Sequence, residues 1–209
     1  MKMQMSHVVA AVSLFAAFGS APASAVSISY YLDQANIAPF PDGTNYLKVT
    51  IADGAGGNID FTVEALAPLD SLAASNYGLD SFGFNSTLAS MTAANFSLPS
   101  NWSVGFGLNQ DGFGNFEYVV NTNGNSSLQD PLTFSIINIA GDSPMDYVSL
   151  SSNNSGEGNV YFGAHVKSFT TNPTSGYFGG SAPVPEPETY AMLLAGLGLV
   201  GFAVRRKLV

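Results

Sequence analysis

The sequence contains no cysteine, and the stretch from Val26 to Ala182 has no arginine and only two lysines, Lys48 and Lys167. The first absence removes disulfides and thiol chemistry. With a single histidine in that stretch, His165, it also removes a zinc site of the usual Cys/His composition. The second absence leaves thirteen of the fifteen carboxylates, all but Glu186 and Glu188, facing two cations. So acidic a body repels phosphate backbones and excludes nucleic acid as a partner. Its stability has to come from apolar packing and hydrogen bonds, in a chain long enough to bury a core.

Long apolar runs are confined to the two ends. At the N-terminus, Lys2 precedes an apolar run from Val8 to Phe18, and Ala23-Ser24-Ala25 supplies the small residues of a cleavage site. This is the order of a secretory signal peptide over residues 1–25, cut before Val26. The run is too short to cross a hydrocarbon core of about 30 Å as a helix.

The body, residues 26–169, reads as all-β. Val26-Ser27-Ile28-Ser29-Tyr30 alternates as a half-buried strand does. Tyr46 to Ile51 and Ile59 to Ala65 form the next pair, joined by the turn residues Asp53-Gly54 and Gly56-Gly57. Further strands are expected at Leu79–Phe84, Trp102–Leu108, Phe113–Val120, Leu132–Ile139, Tyr147–Ser151 and Asn159–Phe169. Helical turns are expected at Pro68–Ser75 and at Ser86–Ala94, the latter capped by Ser86 or Thr87. This rhythm predicts a single antiparallel β-sandwich of jelly-roll type. Residues 170–182, rich in Thr, Ser, Gly and Pro, read as a flexible linker.

The tail, residues 183–209, has three parts in order. Pro183-Val184-Pro185-Glu186-Pro187-Glu188 is held extended by its prolines. Tyr190 to Val204 is an apolar run interrupted only by Gly196, Gly198 and Gly201, and Arg205-Arg206-Lys207 is a basic stop that stays in the cytoplasm. Fifteen residues as a transmembrane helix span about 22 Å against about 30 Å of hydrocarbon, short for a lasting anchor. Pro185-Glu186-Pro187, the Gly-interrupted apolar run and the basic cluster together resemble the PEP-CTERM sorting signal of Gram-negative bacteria. Phe82-Gly83-Phe84-Asn85, Phe162-Gly163-Ala164-His165-Val166 and Ser175-Gly176-Tyr177 are similar to segments that recur in such proteins. The resemblance implies passage through the general secretion machinery and transient holding in the inner membrane. It also implies cleavage near Pro185 to Pro187 by an exosortase, and release or transfer toward the cell surface or the extracellular space.

Chemistry in the body is sparse. His165 lies in an alternating run with Lys167 two residues on, and reads as a structural or surface residue. Asp111 with Glu117, or Asp142 with Asp146, are the carboxylate pairs that a glycosidase would need. Asn109, Asp111 and Asn115 space oxygen ligands as part of a calcium loop does, although Asp111-Gly112 is a hairpin-turn signal in its own right. Tyr30, Tyr31, Trp102, Phe106, Phe113, Phe116 and Tyr118 are candidates for a sugar-stacking platform or, more simply, for core packing. The expected function is a non-enzymatic surface or extracellular-matrix protein, associated with exopolysaccharide or biofilm. The alternatives are a secreted carbohydrate-active hydrolase and a periplasm-facing protein permanently anchored in the inner membrane.

Overall fold

The computed structural model describes residues 25–183 apart from 123, 125, 126, 154 and 155, and in the tail Leu194, Gly196 and Leu197. The strands, in chain order, are β1 Ser27–Leu32, β2 Gln34–Ala35, β3 Leu47–Asp53, β4 Ile59–Ala65, β5 Ala73–Phe84 and β6 Phe96–Ser97. They continue with β7 Trp102–Gln110, β8 Gly114–Thr122, β9 Leu132–Ile136, β10 Phe162–Phe169, β11 Ser175–Gly180 and β12 Ala182–Pro183. They form two antiparallel six-stranded sheets, ordered β12-β1-β3-β4-β9-β6 and β2-β11-β10-β5-β8-β7.

Period-two patterning decides which face each residue takes. In β3 and β4 the buried positions are Leu47, Val49 and Ile51, and Ile59, Phe61, Val63 and Ala65. Lys48, Thr50, Asp60, Thr62 and Glu64 turn outward between them. The second sheet contributes Phe82, Phe84, Phe162, Ala164, Val166 and Phe178 to the same core. The sheets meet through aromatic rings: Phe61 lies 5.0 Å from Phe84 of the other sheet and stacks at 4.7 Å and 11° on Phe134, its neighbour within its own sheet. Offset and edge contacts of this kind add to what area burial alone provides. The result is a sandwich-like all-β body, as expected from its short alternating runs.

Four local expectations are corrected. The linker at 170–182 is largely structured: Ser175–Gly180 is β11, paired along its length with β10, and Phe178 is fully buried. Ala182–Pro183 then pairs with β1, so the folded body extends to Pro183 rather than ending at 169. Tyr147–Ser151 is not a strand. A 3-10 turn at Pro144–Tyr147 takes its start, held by a box in which Ser143 N and Oγ both donate to Asp146 Oδ2 at 2.9 Å. The helical turn at Pro68–Ser75 contracts to an α-helix, α1, at Ala67–Asp70, because Ala73 onward is drawn into β5. Ser86–Ala94 is irregular, since Ser86 and Thr87 donate to Asp146 instead of capping a helix, and only Ala93–Asn95 makes a 3-10 turn.

The signal segment lies outside the described residues, except Ala25, which is exposed. Among the described residues no helix is long and apolar enough to cross a membrane. Leu194, Gly196 and Leu197 are helical and exposed, and the rest of the apolar run lies outside the described residues.

Candidate functional site

The one histidine of the body is placed on the outer face of the second sheet by β10. Its Nδ1 lies 2.7 Å from Asp80 Oδ1, and its ring stacks on Tyr177 of β11 at 4.0 Å and 7°. Lys167, two residues along β10, pairs with the other oxygen of Asp80. The carboxylate arrives there because the β5–β10 register slips: His165 faces Ser81 and Val166 faces Leu79, so Asp80 is the extra residue of a bulge. A bulge re-aims a side chain in just this way. Burial pushes the Asp80 carboxyl up, but hydrogen bonds from His165 and Lys167 and their charges outweigh it and hold the group below its ordinary 3.8. A His–Asp pair can serve as a base only when a nucleophile or substrate proton is within hydrogen-bond reach. Among the described residues no hydroxyl bonds His165, and Lys167 shares its carboxylate. The cluster ties β5 to β10 through Asp80 and reaches β11 through the stacked ring of Tyr177.

Beside it, the same outer face carries a small second core. Gly179, Gly163 and Gly83 stand in register across β11, β10 and β5, followed by Val119 on β8. Their missing side chains leave a flat strip on which two buried rings lie. A Cβ at Gly83 would meet Phe116 at 2.8 Å, and one at Gly179 would meet Phe113 at 2.5 Å. Val160 completes this cluster, and Ser151 ties it together, its Oγ donating to Phe113 O at 2.6 Å and accepting from Val160 N at 3.1 Å. The glycines in Phe82-Gly83-Phe84 and Phe162-Gly163-Ala164 thus separate core-facing residues with room for a ring on the other side.

The carboxylates singled out in the sequence hold local structure. Glu117 accepts from Ser86 N at 3.2 Å, Asp142 accepts from Tyr147 Oη at 2.6 Å, and Asp146 closes the box described above. Neither pair is bridged by a hydrogen bond. The calcium candidates are likewise engaged: Asn109 Nδ2 donates to Asn115 Oδ1 at 3.1 Å across the β7–β8 hairpin, and Asp111 accepts from Asn36 at 3.1 Å. Gly112, at φ +85°, makes the turn. Of the aromatics, Tyr30, Trp102, Phe113, Phe116 and Tyr118 are buried, and Trp102 Nε1 donates to Ser127 O at 2.9 Å. Phe106, 48% exposed, stands apart on β7 of the second sheet while Tyr31 is on β1 of the first, so they form no shared platform.

The outer face of the first sheet is a surface that residue-by-residue reading missed. Register aligns Ser29, Thr50, Thr62 and Thr133 in one row across β1, β3, β4 and β9. A second row runs Asp60, Ser135 and Ser97. Ser29 and Thr50 share a hydrogen bond of 3.0 Å, and Ser135 donates to Asp60 at 2.6 Å. A groove of about 570 Å³ crosses these rows, flanked by Leu98, Pro99 and Gln129. The alternation of Ser and Thr in separate strands was visible, but their alignment required the register.

The sorting residues Pro185, Glu186, Pro187, Arg205, Arg206 and Lys207 lie outside the described residues, as does Ala23. The body delivers the chain to them from a fixed point. Gly180 passes so close to β1 that a Cβ would meet Leu32 Cα at 2.6 Å, Ser181 Oγ accepts from Tyr161 N at 2.9 Å, and β12 then pairs with Tyr30 and Tyr31. Two residues after Pro183 the Pro-Glu-Pro triplet begins. Residues 183–207 match the PEP-CTERM protein-sorting motif, which implies exosortase-dependent sorting of an exported protein, with membrane anchoring before display at the cell surface. No curated protein and no solved structure matches the chain.

Proposed function

We propose that this chain, a carrier of the PEP-CTERM sorting motif at residues 183–207, is the non-enzymatic cargo of an exosortase in a Gram-negative bacterium. Its body is a jelly-roll-like sandwich whose longer strands cross between sheets at β4–β5, β8–β9 and β9–β10, with the two-residue strands β2, β6 and β12 adding further crossings. The body is handed to the cell surface or matrix, where it associates with exopolysaccharide. The short apolar run serves as a transit stop in the inner membrane, and the signal peptide is removed before Val26.

The observation that carries the binding half of this reading is the pair of hydroxyl rows beneath the groove on the first sheet. Such a face offers neutral donors and acceptors at strand spacing, about 4.8 Å apart across the sheet. The one charged group lining the groove, Asp60, is engaged by Ser135, and Lys48 and Glu64 on the same face pair with each other, which leaves the hydroxyls to suit a polyhydroxyl ligand. The engagement of Glu117, Asp142 and Asp146 in backbone and hydroxyl hydrogen bonds favours binding over hydrolysis. Co-sedimentation with the exopolysaccharide of the producing cells tests it. Retention should fall at least about tenfold, the equivalent of about 1.4 kcal/mol, in the double variant Thr62→Val/Thr133→Val, which keeps shape and removes hydroxyls. Release of reducing ends from the polymer would instead establish the hydrolase alternative.

A further inference from the structure

The first residue of the body is held at its backbone nitrogen. Ser27 stands opposite Ala52 in the β1–β3 pairing, which brings Val26 beside Asp53 at the end of the two strands. Asp53 N donates to Val26 O at 2.9 Å, one half of the exchange that an antiparallel ladder makes. The return bond runs to a side chain: Val26 N donates to Asp53 Oδ2 at 2.8 Å. Val26 is thus clamped between the backbone and the carboxylate of Asp53. A carbonyl serves a neutral amide N–H well enough; a carboxylate is the matched partner of a charged nitrogen.

The bond between Ala25 and Val26 is the one at which the signal peptide is proposed to be cut. Hydrolysis adds one water across it, leaving a carboxylate on Ala25 and an amine on Val26. That amine takes up a proton at neutral pH, since a free α-amino group titrates at about 7.7. The nitrogen that gains the charge is the one already in contact with Asp53. We propose that Asp53 is the receptor for the N-terminus that processing creates. Cutting before Val26 turns a neutral hydrogen bond into an ammonium–carboxylate pair and pins the start of β1 to β3. This rests on removal of the signal peptide before Val26, as proposed above.

The charged groups on the surrounding elements are engaged elsewhere. Asp60 of β4, opposite Ala52, accepts from Ser135 and lies against Gly54. The 3-10 turn at Pro144–Tyr147 packs on β1 and β3; its Asp146 bonds Ser143, and Asp142 bonds Tyr147 Oη. Lys48 and Glu64 pair with each other farther along the sheet, opposite Tyr31. The carboxylates among them favour the ammonium only through the general field, whereas Asp53 touches its nitrogen, so substitution separates the two effects. Val26 is 52% exposed, so solvent screens the pair and its effect is modest. A partner that favours the charged amine raises its folded pKa. The stabilisation is therefore complete below the unfolded value and is lost as pH rises through the raised one.

An NMR titration of the Val26 α-amino group, in the chain from Val26 to Val209 in detergent micelles, reads the contact. The parent should hold this proton about threefold more tightly than Asp53→Asn, which keeps an acceptor oxygen and removes the charge. Asp60→Asn removes the same charge from the next strand and should have a clearly smaller effect. In a chain that begins at Ala25 the amine sits one residue off Asp53, and there the two substitutions should act alike. Chemical denaturation should show the parent's advantage over Asp53→Asn falling about threefold, as a ratio of folding constants, between about pH 7 and about pH 10. Equal titration of parent and Asp53→Asn would overturn the proposal, as would equal effects of the two substitutions in the Val26 chain or an advantage independent of pH. The mass of the exported chain decides the premise separately. A terminus other than Val26 overturns the cleavage reading, whatever the titration shows of Asp53.

Discussion

Replacing Gly179 with alanine isolates the strip of glycines on the second sheet. The added Cβ would lie 2.5 Å, 2.7 Å and 2.8 Å from Phe113 Cδ1, Cε1 and Cγ. Carbon atoms pack at about 3.5–4.0 Å, so the ring has to move by about 1 Å. Phe113 is fully buried, with Val160 and Phe116 in its cluster and its carbonyl held by Ser151, so nothing nearby can yield freely. Gly179 itself sits in a β-strand without a left-handed φ, so alanine brings no backbone strain and the cost is steric alone. Overpacking of this kind costs about 1–3 kcal/mol. At about 2 kcal/mol the melting temperature of a body this size should fall by about 4–8 °C. Thermal unfolding followed by circular dichroism measures it, with Gly156→Ala, which meets nothing within 4 Å, as the neutral control. Phe113→Leu removes the obstructing ring edge, so the double variant should lose less than the sum of the two singles, with a coupling of at least about 1 kcal/mol. An unchanged melting temperature in Gly179→Ala, or strict additivity with Phe113→Leu, would refute the packing argument.

Other outcomes follow from neighbouring geometry. Gly180→Ala should cost more than Gly179→Ala, about 3 kcal/mol or above, because the obstacle is the backbone of β1 at Leu32 and cannot rotate aside; chemical denaturation compares the two. Phe61→Ala, which deletes a fully buried ring in contact with both sheets, should cost about 3–5 kcal/mol in the same assay. Asp80 is held below its ordinary 3.8, so its ion pairs stabilise the fold fully above that pH and lose their contribution as pH falls through the lowered value. Asp80→Asn should therefore be less stable than the parent at pH 7, with the gap narrowing as pH falls below 3.8; a gap independent of pH would contradict the ion-pair assignment.

The strands with strict alternation and β-branched or aromatic residues were legible, as β3, β4 and β9 illustrate. Their burial on one face is what the pattern encodes. β11 was not, because Ser175-Gly176-Tyr177-Phe178-Gly179-Gly180 offers one core side chain and three glycines, a linker's composition. Those glycines are demanded by the aliphatic side chain of Ile37, the ring of Phe113 and the backbone of β1, contacts that exist only once distant segments have met. The Tyr147–Ser151 stretch had strand-like residues, but Asp142 and Asp146 tie Tyr147 and Ser143 into a turn first. His165 was visible as the lone imidazole, yet its partner Asp80 is 85 residues away and reaches it through a bulge that leaves no sequence mark. The hydroxyl rows suffered similarly, since alignment across four strands is a property of register. The Pro-Glu-Pro triplet, the apolar run and the basic cluster were readable at once, because a sorting signal is read as a linear peptide.

That signal carries the central claim, and the intact mass of the protein recovered from the cell surface tests it most directly. The account predicts a mass that begins at Val26 and ends near Pro185 to Pro187, without Tyr190 to Val209. A surface-recovered chain whose mass still includes Tyr190 to Val209 would contradict it.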